Sequence, residues 1–237
     1  MIIEPHQVDK DIVTSADVCV IGSGAGGGVA AAKLAEAGLS VVCLEAGGYY
    51  TSKDFDMTEK NMMPKLYAEK GLRTSNDLSL IILAGSNVGG GTTVNWTMSL
   101  PSVDYYLSDV EKRTLRHGLK NLAKLNFEAG ATYAYTGHSV PTIIESPKDI
   151  SKIDELGFDE NEHTLFTAHQ MATCPMGEDK KITVVNSEGE SHEIKNLFVF
   201  DGSVFPNSPG VNPMLSIMGF STHLSKHLIS NRAKYFS

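Results

Sequence analysis

Residues 17–48 have the sequence DVCVIGSGAGGGVAAAKLAEAGLSVVCLEAGG, which predicts a strand, a glycine turn, a helix and a second strand. The run Val18–Ile21 is short and apolar at every position, as is typical of a strand covered on both faces in a parallel sheet. Alanines and other small residues between 30 and 37 favour a helix, which Gly38 ends before the apolar run Val41–Leu44. The stretch therefore predicts a βαβ unit and an α/β fold.

The glycine turn carries a nucleotide-binding fingerprint. Gly22, Gly24 and Gly27 match G-x-G-x-x-G, in which the glycines make a tight turn, admit a pyrophosphate to the backbone and let the helix pack on the strand. Glu45 follows about 20 residues later, where an acidic side chain accepts hydrogen bonds from both hydroxyls of an adenosine ribose. A glycine-rich turn that binds nothing would carry a large entropic cost. We therefore predict dinucleotide binding and not an empty turn.

Composition limits the partners and the compartment. The chain has 237 residues, and its 41% hydrophobic content suffices for one large core or two small ones. A net charge of −8, with no basic face evident in the sequence, argues against nucleic acid or an anionic membrane as the main partner. We see no signal-like apolar run, no window long enough to span a membrane and no cysteine spacing typical of a metal site. These features predict a cytoplasmic protein.

A second glycine-rich loop follows the strand-like run at residues 78–83. Residues 84–96 have the sequence AGSNVGGGTTVNW. Three consecutive glycines flanked by Ser, Asn and Thr predict a backbone brought close to a flat or anionic ligand.

The remaining segments predict a helix and two strands. Residues 109–129 have the apolar periodicity of an amphipathic helix, and residues 131–146 alternate as a strand does. Residues 197–203 predict a buried strand that ends in Asp201-Gly202.

One histidine is a candidate for catalysis, although a solitary histidine in an apolar run is more often a structural residue. It is His169, within the segment LFTAHQMATCPMG. Downstream, Asn212 and Pro213 are good N-cap and N1 residues for a helix that ends near Ser230, and the amino-terminal end of that helix would carry positive partial charge.

No metal site is predicted. His223 and His227 lie one helical turn apart, but no acidic third ligand is near them in the sequence. A solvated helix face is therefore favoured over metal ligation.

Taken in this order, the segments resemble the glucose-methanol-choline (GMC) family of FAD-dependent oxidoreductases, and within it the long-chain alcohol oxidase and bacterial dehydrogenase branch. The resemblance rests on the fingerprint, on GSNVGGGTTVNW, and on AHQMATCPMG and DGSVFPNSPGVNPMLSI. It implies an α/β fold with an FAD-binding Rossmann-like parallel sheet and a reduced substrate-domain remnant. The FAD-binding domain would comprise residues 1–103 and 194–237, and the remnant residues 104–193.

The resemblance also implies roles for individual residues. His169 would be the active-site base with Asn212 as its partner, and Glu45 would hold the ribose. The other cofactor-binding residues would be Gly22, Gly24, Gly27, Gly89, Gly90, Asn95, Asp201, Gly202, Pro213 and Met214. The implied reaction oxidises the CH–OH group of an alcohol, with hydride transfer to flavin N5 and the proton taken by His169. The alcohol and the electron acceptor, whether oxygen, quinone or cytochrome, stay open.

Family members are longer, and their second signature, a Ser-Pro run ending in Ser-Gly-x-Gly, is absent between Pro101 and Asp109. The resemblance therefore implies an internally shortened member or a fragment, whose strand Val41–Leu44 has an open edge. Such a chain would either associate with a chain that carries the missing region or be poorly stable and catalytically weak. Two alternatives stay open. One is an FAD-binding chain without activity of its own; the other is an NAD-dependent dehydrogenase, which leaves the second glycine loop unexplained.

Overall fold

The fold is described from a computed structural model, which covers residues 1–56, 58–74, 83–94, 107–159, 162–163, 169 and 171–236. In chain order, its strands and helices are β1 (Val18–Ile21), α1 (Ala25–Glu36), β2 (Val41–Leu44), α2 (Glu59–Leu66), α3 (Gly91–Val94), α4 (Asp109–Glu128), β3 (Ala134–Tyr135), β4 (Ile143–Ile144), α5 (Met214–Ser230) and α6 (Arg232–Tyr235). Short 3₁₀ helices occupy Pro5–Gln7, Ala68–Gly71, Pro147–Glu155 and Gly202–Val204. No helix in the described ranges has both the length and the apolar character needed to span a membrane.

The chain divides into two compact units. The first unit comprises Met1–Pro101 and Thr167–Ser237, and the second comprises Ser102–Phe166. The predicted boundary after residue 193 differs from this division, because residues 174–191 form hydrogen bonds with residues 197–204 of the first unit. The Cys174 N–H donates to the carbonyl of Ser203 at 3.0 Å, and the Met176 N–H donates to the carbonyl of Val204 at 2.9 Å. That the second unit descends from a substrate-binding domain stays a prediction.

The first unit is built on the predicted βαβ unit, which is confirmed. β1 and β2 pair in parallel, with Val18 opposite Val41 and Ile21 opposite Leu44. α1 connects the two strands and buries Leu34 against one face of the sheet. This arrangement confirms the α/β class and brings the carboxyl ends of both strands to the same edge.

The expectation that the first strand is covered on both faces is wrong. Cys19 is exposed, as are 82% of Ile21 and 54% of Leu44. Alternate residues of a strand point to opposite faces, and in the described part of the chain helix packing covers only the face that carries Val18 and Val41. Within the same residues, β2 pairs with β1 alone. The sheet therefore has an apolar face and an edge that no described segment occupies.

α5 packs along α1, and a small polar side chain joins the two helices. The buried hydroxyl of Ser221 donates to the carbonyl of Gly26 at 2.8 Å, which joins the two helices near the start of α1. The prediction of Asn212 as N-cap is wrong by one residue. The carbonyl of Pro213 accepts the N–H of Ile217 at 2.8 Å, and Pro213 therefore holds the cap position.

Residues 131–146 do not form one strand. They form β3 and β4, which pair antiparallel with Ala134 opposite Ile144. Gly137 has a φ of +75°, a left-handed conformation that reverses the chain between the two strands.

The strand predicted at residues 197–203 is not regular. Phe198 makes one isolated bridge with Glu190, and the 3₁₀ helix Gly202–Val204 follows. Without a continuous neighbour the segment cannot form a ladder, yet Phe198 and Phe200 still pack against the core of the first unit. Of the run predicted as a strand at residues 78–83, only Leu83 lies within the described residues.

The second unit is organised around α4, whose prediction is confirmed. A capping box starts the helix: the Ser108 hydroxyl accepts the N–H of Glu111 at 3.3 Å, and the Glu111 carboxylate accepts the N–H of Ser108 at 2.7 Å. α4 packs against the 3₁₀ helix Pro147–Glu155. Their core contains Ala123, Ile144, Ile150 and Ile153.

α4 also carries a basic face, which corrects the expectation that none exists. The positively charged residues Arg113, Arg116, Lys120 and Lys124, together with His117, recur at spacings of three and four, which places them on one side of the helix. This face exists although the whole chain has a net charge of −8. Average charge therefore conceals a local concentration of cations.

Two histidines of the second unit share a half-buried cluster. The Nε2–H of His138 donates to the carbonyl of Gly157 at 3.0 Å, and its Nδ1 lies 2.9 Å from the hydroxyl of Thr136. The Nε2–H of His163 donates to the carbonyl of Thr136 at 2.9 Å, and the two imidazole rings meet edge to face with centroids 4.5 Å apart. Burial lowers the pKa of His138, and the nearby charge of His163 lowers it further.

We expect the second unit to lose stability in mild acid. Because the folded pKa of His138 lies below its unfolded value of about 6.5, the stabilisation is complete above that pH and is lost as the pH falls towards the folded pKa. Urea unfolding followed between pH 7.5 and 5 measures the effect. H138Q keeps a hydrogen-bonding side chain that does not titrate, so its stability should depend less on pH. An identical pH dependence in the variant would show that His138 is not the group responsible.

Candidate functional site

The first glycine turn joins β1 to α1 at the carboxyl edge of the sheet. Gly22 has a φ of +86°, and its N–H donates to the carbonyl of Leu44 at 2.7 Å. A methyl group on Gly27 would overlap the carbonyl oxygen of Gly22. Glycine at this position therefore lets α1 start directly against the turn.

Glu45 holds the turn in place. One carboxylate oxygen accepts both the N–H of Ser23 at 2.9 Å and its hydroxyl at 2.7 Å, and the other accepts the N–H of Gly47 at 2.9 Å. Burial acts to raise the pKa of Glu45, but these hydrogen bonds outweigh it, and the pKa lies below its ordinary value. The carboxylate is therefore charged at neutral pH. Since it has about four acceptor positions, its predicted bond to a ribose stays compatible with this geometry.

The Ser23 hydroxyl connects the turn to the second glycine loop. While it donates to Glu45, it accepts the N–H of Gly89 at 2.9 Å. A methyl group on Gly90 would lie 3.4 Å from the Cα of Gly24, so the two backbone segments lie close together. We call residues 22–27 and 85–91 together the glycine cradle.

Asn87 fastens the second loop of the cradle to the chain that follows β2. It is completely buried, and its amide nitrogen donates to the carbonyl of Leu66 at 3.0 Å. The neighbouring Val88 N–H donates to the carbonyl of Gly48 at 2.9 Å. Among the described residues, the side-chain oxygen of Asn87 has no hydrogen-bond partner. A buried acceptor without a donor is costly, and a ligand or water that donated to it would remove that cost.

The segment before Asp201 passes over the first turn of α1. A methyl group on Gly26 would overlap the carbonyl oxygen of Phe200. Gly202 is buried, whereas Asp201 is exposed and accepts the N–H of Ser203 at 2.8 Å. Asp201 therefore caps the 3₁₀ helix and still presents its carboxylate to solvent.

The other predicted site residues are less closely connected with the cradle. Pro213 caps α5 and Met214 begins it, and this helix contacts α1 through Ser221 and Gly26. Asn95 lies outside the described residues.

The two predicted catalytic residues occupy different environments. His169 is half-buried, and residues 164–168 and 170 around it are not among the described ones. Asn212 is exposed just before α5. That the two side chains face each other across one site stays a prediction.

Two residues important to the cradle, Ser23 and Asn87, were not predicted as site residues from the sequence. Ser23 fills a variable position of the fingerprint. Because it follows one parallel strand and Glu45 follows the next, a hydrogen bond between their side chains could have been predicted. Asn87 carried only the general signal of a polar residue in a glycine loop, and its burial depends on contacts with the distant Leu66.

The cradle fits a dinucleotide. A methyl group on Gly22 or Gly24 would meet no described atom within 4 Å, so the backbone there is open to a ligand. The first N–H groups of α1 have no partners within the helix, and such a helix start attracts phosphate. In the described ranges, no group of three or more His, Cys, Asp or Glu side chains is placed to hold a metal.

Comparisons with known proteins agree with this geometry. The family model described as GMC oxidoreductase matches residues 90–221, and a model described as NAD(P)-binding Rossmann-like domain matches residues 20–77. The long-chain-alcohol oxidase FAO4B of Arabidopsis thaliana is 50% identical over 93 residues, which are 39% of this chain and 12% of that protein. An uncharacterized GMC-type oxidoreductase, y4nJ of Sinorhizobium fredii, is 31% identical over 137 residues, 56% of this chain and 26% of its own.

A third relative is a cholesterol oxidase of Mycobacterium tuberculosis, 40% identical over 81 residues, which are 32% of this chain and 14% of the relative. The matches to these three proteins thus span between 12% and 26% of their lengths. The similarity concerns segments of larger enzymes.

Proposed function

This chain belongs to the GMC oxidoreductase family, and from that premise we propose that it binds FAD in the glycine cradle and oxidises an alcohol. The observation that carries the proposal is the contact between the two glycine-rich segments through the Ser23 hydroxyl. A nicotinamide dinucleotide requires only the first of them. Two backbone surfaces side by side offer a longer ligand such as FAD more donors.

In this proposal, the residues of the cradle contact different parts of the cofactor. Gly22 and Gly24 leave backbone open for the pyrophosphate, and the charged Glu45 accepts the ribose hydroxyls. Further along the cofactor, the contacts would come from Gly27, Gly89, Gly90, Asn95, Asp201, Gly202, Pro213 and Met214.

The catalytic step assigns one role to each of two side chains. When bound, FAD supplies the acceptor for the hydride that leaves the alcohol carbon. His169 takes the hydroxyl proton at an imidazole nitrogen, and the amide of Asn212 orients the hydroxyl. The amino-terminal end of α5 adds positive partial charge. The product is a carbonyl compound.

The substrate we propose is a long-chain alcohol. Several relatives named long-chain-alcohol oxidases support this substrate, namely the FAO4B, FAO4A, FAO3 and FAO1 proteins of Arabidopsis thaliana.

The exposed sheet face favours a second candidate function, in which this chain is one part of a split enzyme or binds FAD without activity of its own. Cys19, Ile21 and Leu44 form an apolar surface on the side of the sheet away from α1. Apolar strand surfaces of this kind are associated with pairing to another chain. A chain that carries the missing family region would cover them.

Titration with FAD tests the proposed function. We expect FAD to acquire a protein-bound absorbance spectrum and to raise Tm, whereas NAD at the same concentration should do neither. Anaerobic addition of a long-chain alcohol should then bleach the flavin band. Bound flavin that no alcohol bleaches would favour the second candidate, and a protein that takes up no FAD would contradict both.

A further inference from the structure

A cleft in the second unit is lined only by residues of that unit. Its volume is about 350 Å³, at the lower end of the range for small-molecule sites. Its lining consists of Arg113, Arg116, His117, Lys120, Asn121, Lys124 and Asp154. Every one of these side chains is polar, so the cleft suits a charged ligand and not an apolar one.

The cleft carries excess positive charge. Four of its side chains are cationic at neutral pH, and Asp154 is its single carboxylate. That carboxylate is already paired with Lys120 at 2.6 Å. Among the described residues, Arg113 and Lys124 have no ion-pair partner, and both are exposed. An anion in the cleft would therefore meet unpaired positive charge.

Arg116 provides a second, independent observation. One terminal nitrogen donates to the carbonyl of Leu156 at 3.0 Å, and the guanidinium lies over the ring of Phe158, 5.2 Å from its centroid. Its Nε is buried and has no hydrogen-bond partner in the described part of the chain. These contacts hold the planar guanidinium in one orientation at the wall of the cleft, and an oriented guanidinium is well suited to a phosphate or carboxylate.

The arrangement has a cost that an anion would remove. Arg116, Lys120 and Lys124 follow one another at a spacing of four, and like charges at that spacing repel on a helix. Beside them, the Asn121 amide nitrogen lies 2.9 Å from Nε2 of His117, which adds further hydrogen-bonding groups at the same surface.

We propose that this cleft binds a phosphate group, carried either by a small soluble molecule or by an anionic lipid headgroup. Phosphate matches the several cationic donors that line the cleft and the local positive charge. The site is independent of the cofactor and of the reaction assigned to the glycine cradle.

Binding measurements on the full chain distinguish the two sources. Calorimetric titration with inorganic phosphate probes the soluble form, and flotation with phosphatidylcholine vesicles, with and without phosphatidic acid, probes the headgroup. The test variant is R113Q/K124Q, which changes two exposed positions and should leave the fold intact. The control is K10Q/K148Q, which removes the same charge from exposed positions outside the cleft.

We expect saturable binding of at least one probe, weakened at least about tenfold in R113Q/K124Q and unchanged in the control, because hydrogen bonds to charged groups contribute that much. Circular dichroism confirms that the variants fold. If R113Q/K124Q binds inorganic phosphate more weakly, the ligand is a soluble one. If only its binding to phosphatidic acid vesicles is weakened, the ligand is a lipid headgroup. Absence of binding to both probes, equal weakening in the control, or binding of phosphate or of phosphatidic acid vesicles that survives unchanged in R113Q/K124Q would each overturn the proposal.

Discussion

Replacing Gly26 with alanine is expected to destabilise the first unit by about 3 kcal/mol and to lower Tm by roughly 10 °C. The added methyl group would overlap the carbonyl oxygen of Phe200. Both groups belong to the backbone or are fixed to it, so no side-chain rotation relieves the overlap. Because alanine is intrinsically the better helix former, helix propensity alone predicts the opposite sign.

G24A is the matched control for this substitution. Gly24 lies two residues earlier, and a methyl group there meets no described atom within 4 Å. We expect the free energy of unfolding to change by less than about 1 kcal/mol, while FAD affinity falls because the methyl group occupies open space above the turn. Thermal unfolding and FAD titration of both variants measure the two effects. A G26A protein as stable as wild type would show that the Phe200 segment does not pack on α1 as described.

Replacing His169 with alanine is expected to slow alcohol-dependent flavin reduction by about 10²- to 10⁴-fold, the usual contribution of a general base. The prediction rests on the proposed function. FAD uptake and Tm should stay close to their wild-type values, because the half-buried side chain is assigned to proton transfer and not to cofactor binding. Stopped-flow absorbance under anaerobic conditions measures the rate.

H6N provides the control, since His6 is an exposed residue of the amino-terminal 3₁₀ helix. It should reduce the flavin at the wild-type rate. If H169A bound FAD and reduced it as fast as wild type, His169 would be a structural histidine and the base would have to be sought elsewhere.

The sequence was most informative where structure is local. The turn at Gly22 and the helix after it follow from residues that are neighbours in the chain, and α4 follows from its apolar periodicity. Family resemblance extended this to the second glycine loop, whose contact with the first is now visible at Ser23.

The errors concern properties that depend on distant neighbours. Whether Cys19 and Ile21 are covered depends on what packs on the far side of the sheet, which the apolar run itself does not encode. Phe198 has strand-like neighbours in sequence, but a strand also needs a partner to pair with along its length. The basic face of α4 was hidden because charge was judged over the whole chain and not by helical position.

The Ser23 hydroxyl, which bonds Glu45 and Gly89 at the same time, has a consequence for the energetics of ligand capture. A glycine-rich loop loses much conformational entropy when it is fixed, and a loop that becomes ordered only around its ligand weakens affinity by that amount. Here the second loop is anchored to the first before any ligand arrives, so this loss is incurred during folding. The cradle is preorganised, so a larger part of the free energy of each contact with the ligand contributes to its affinity.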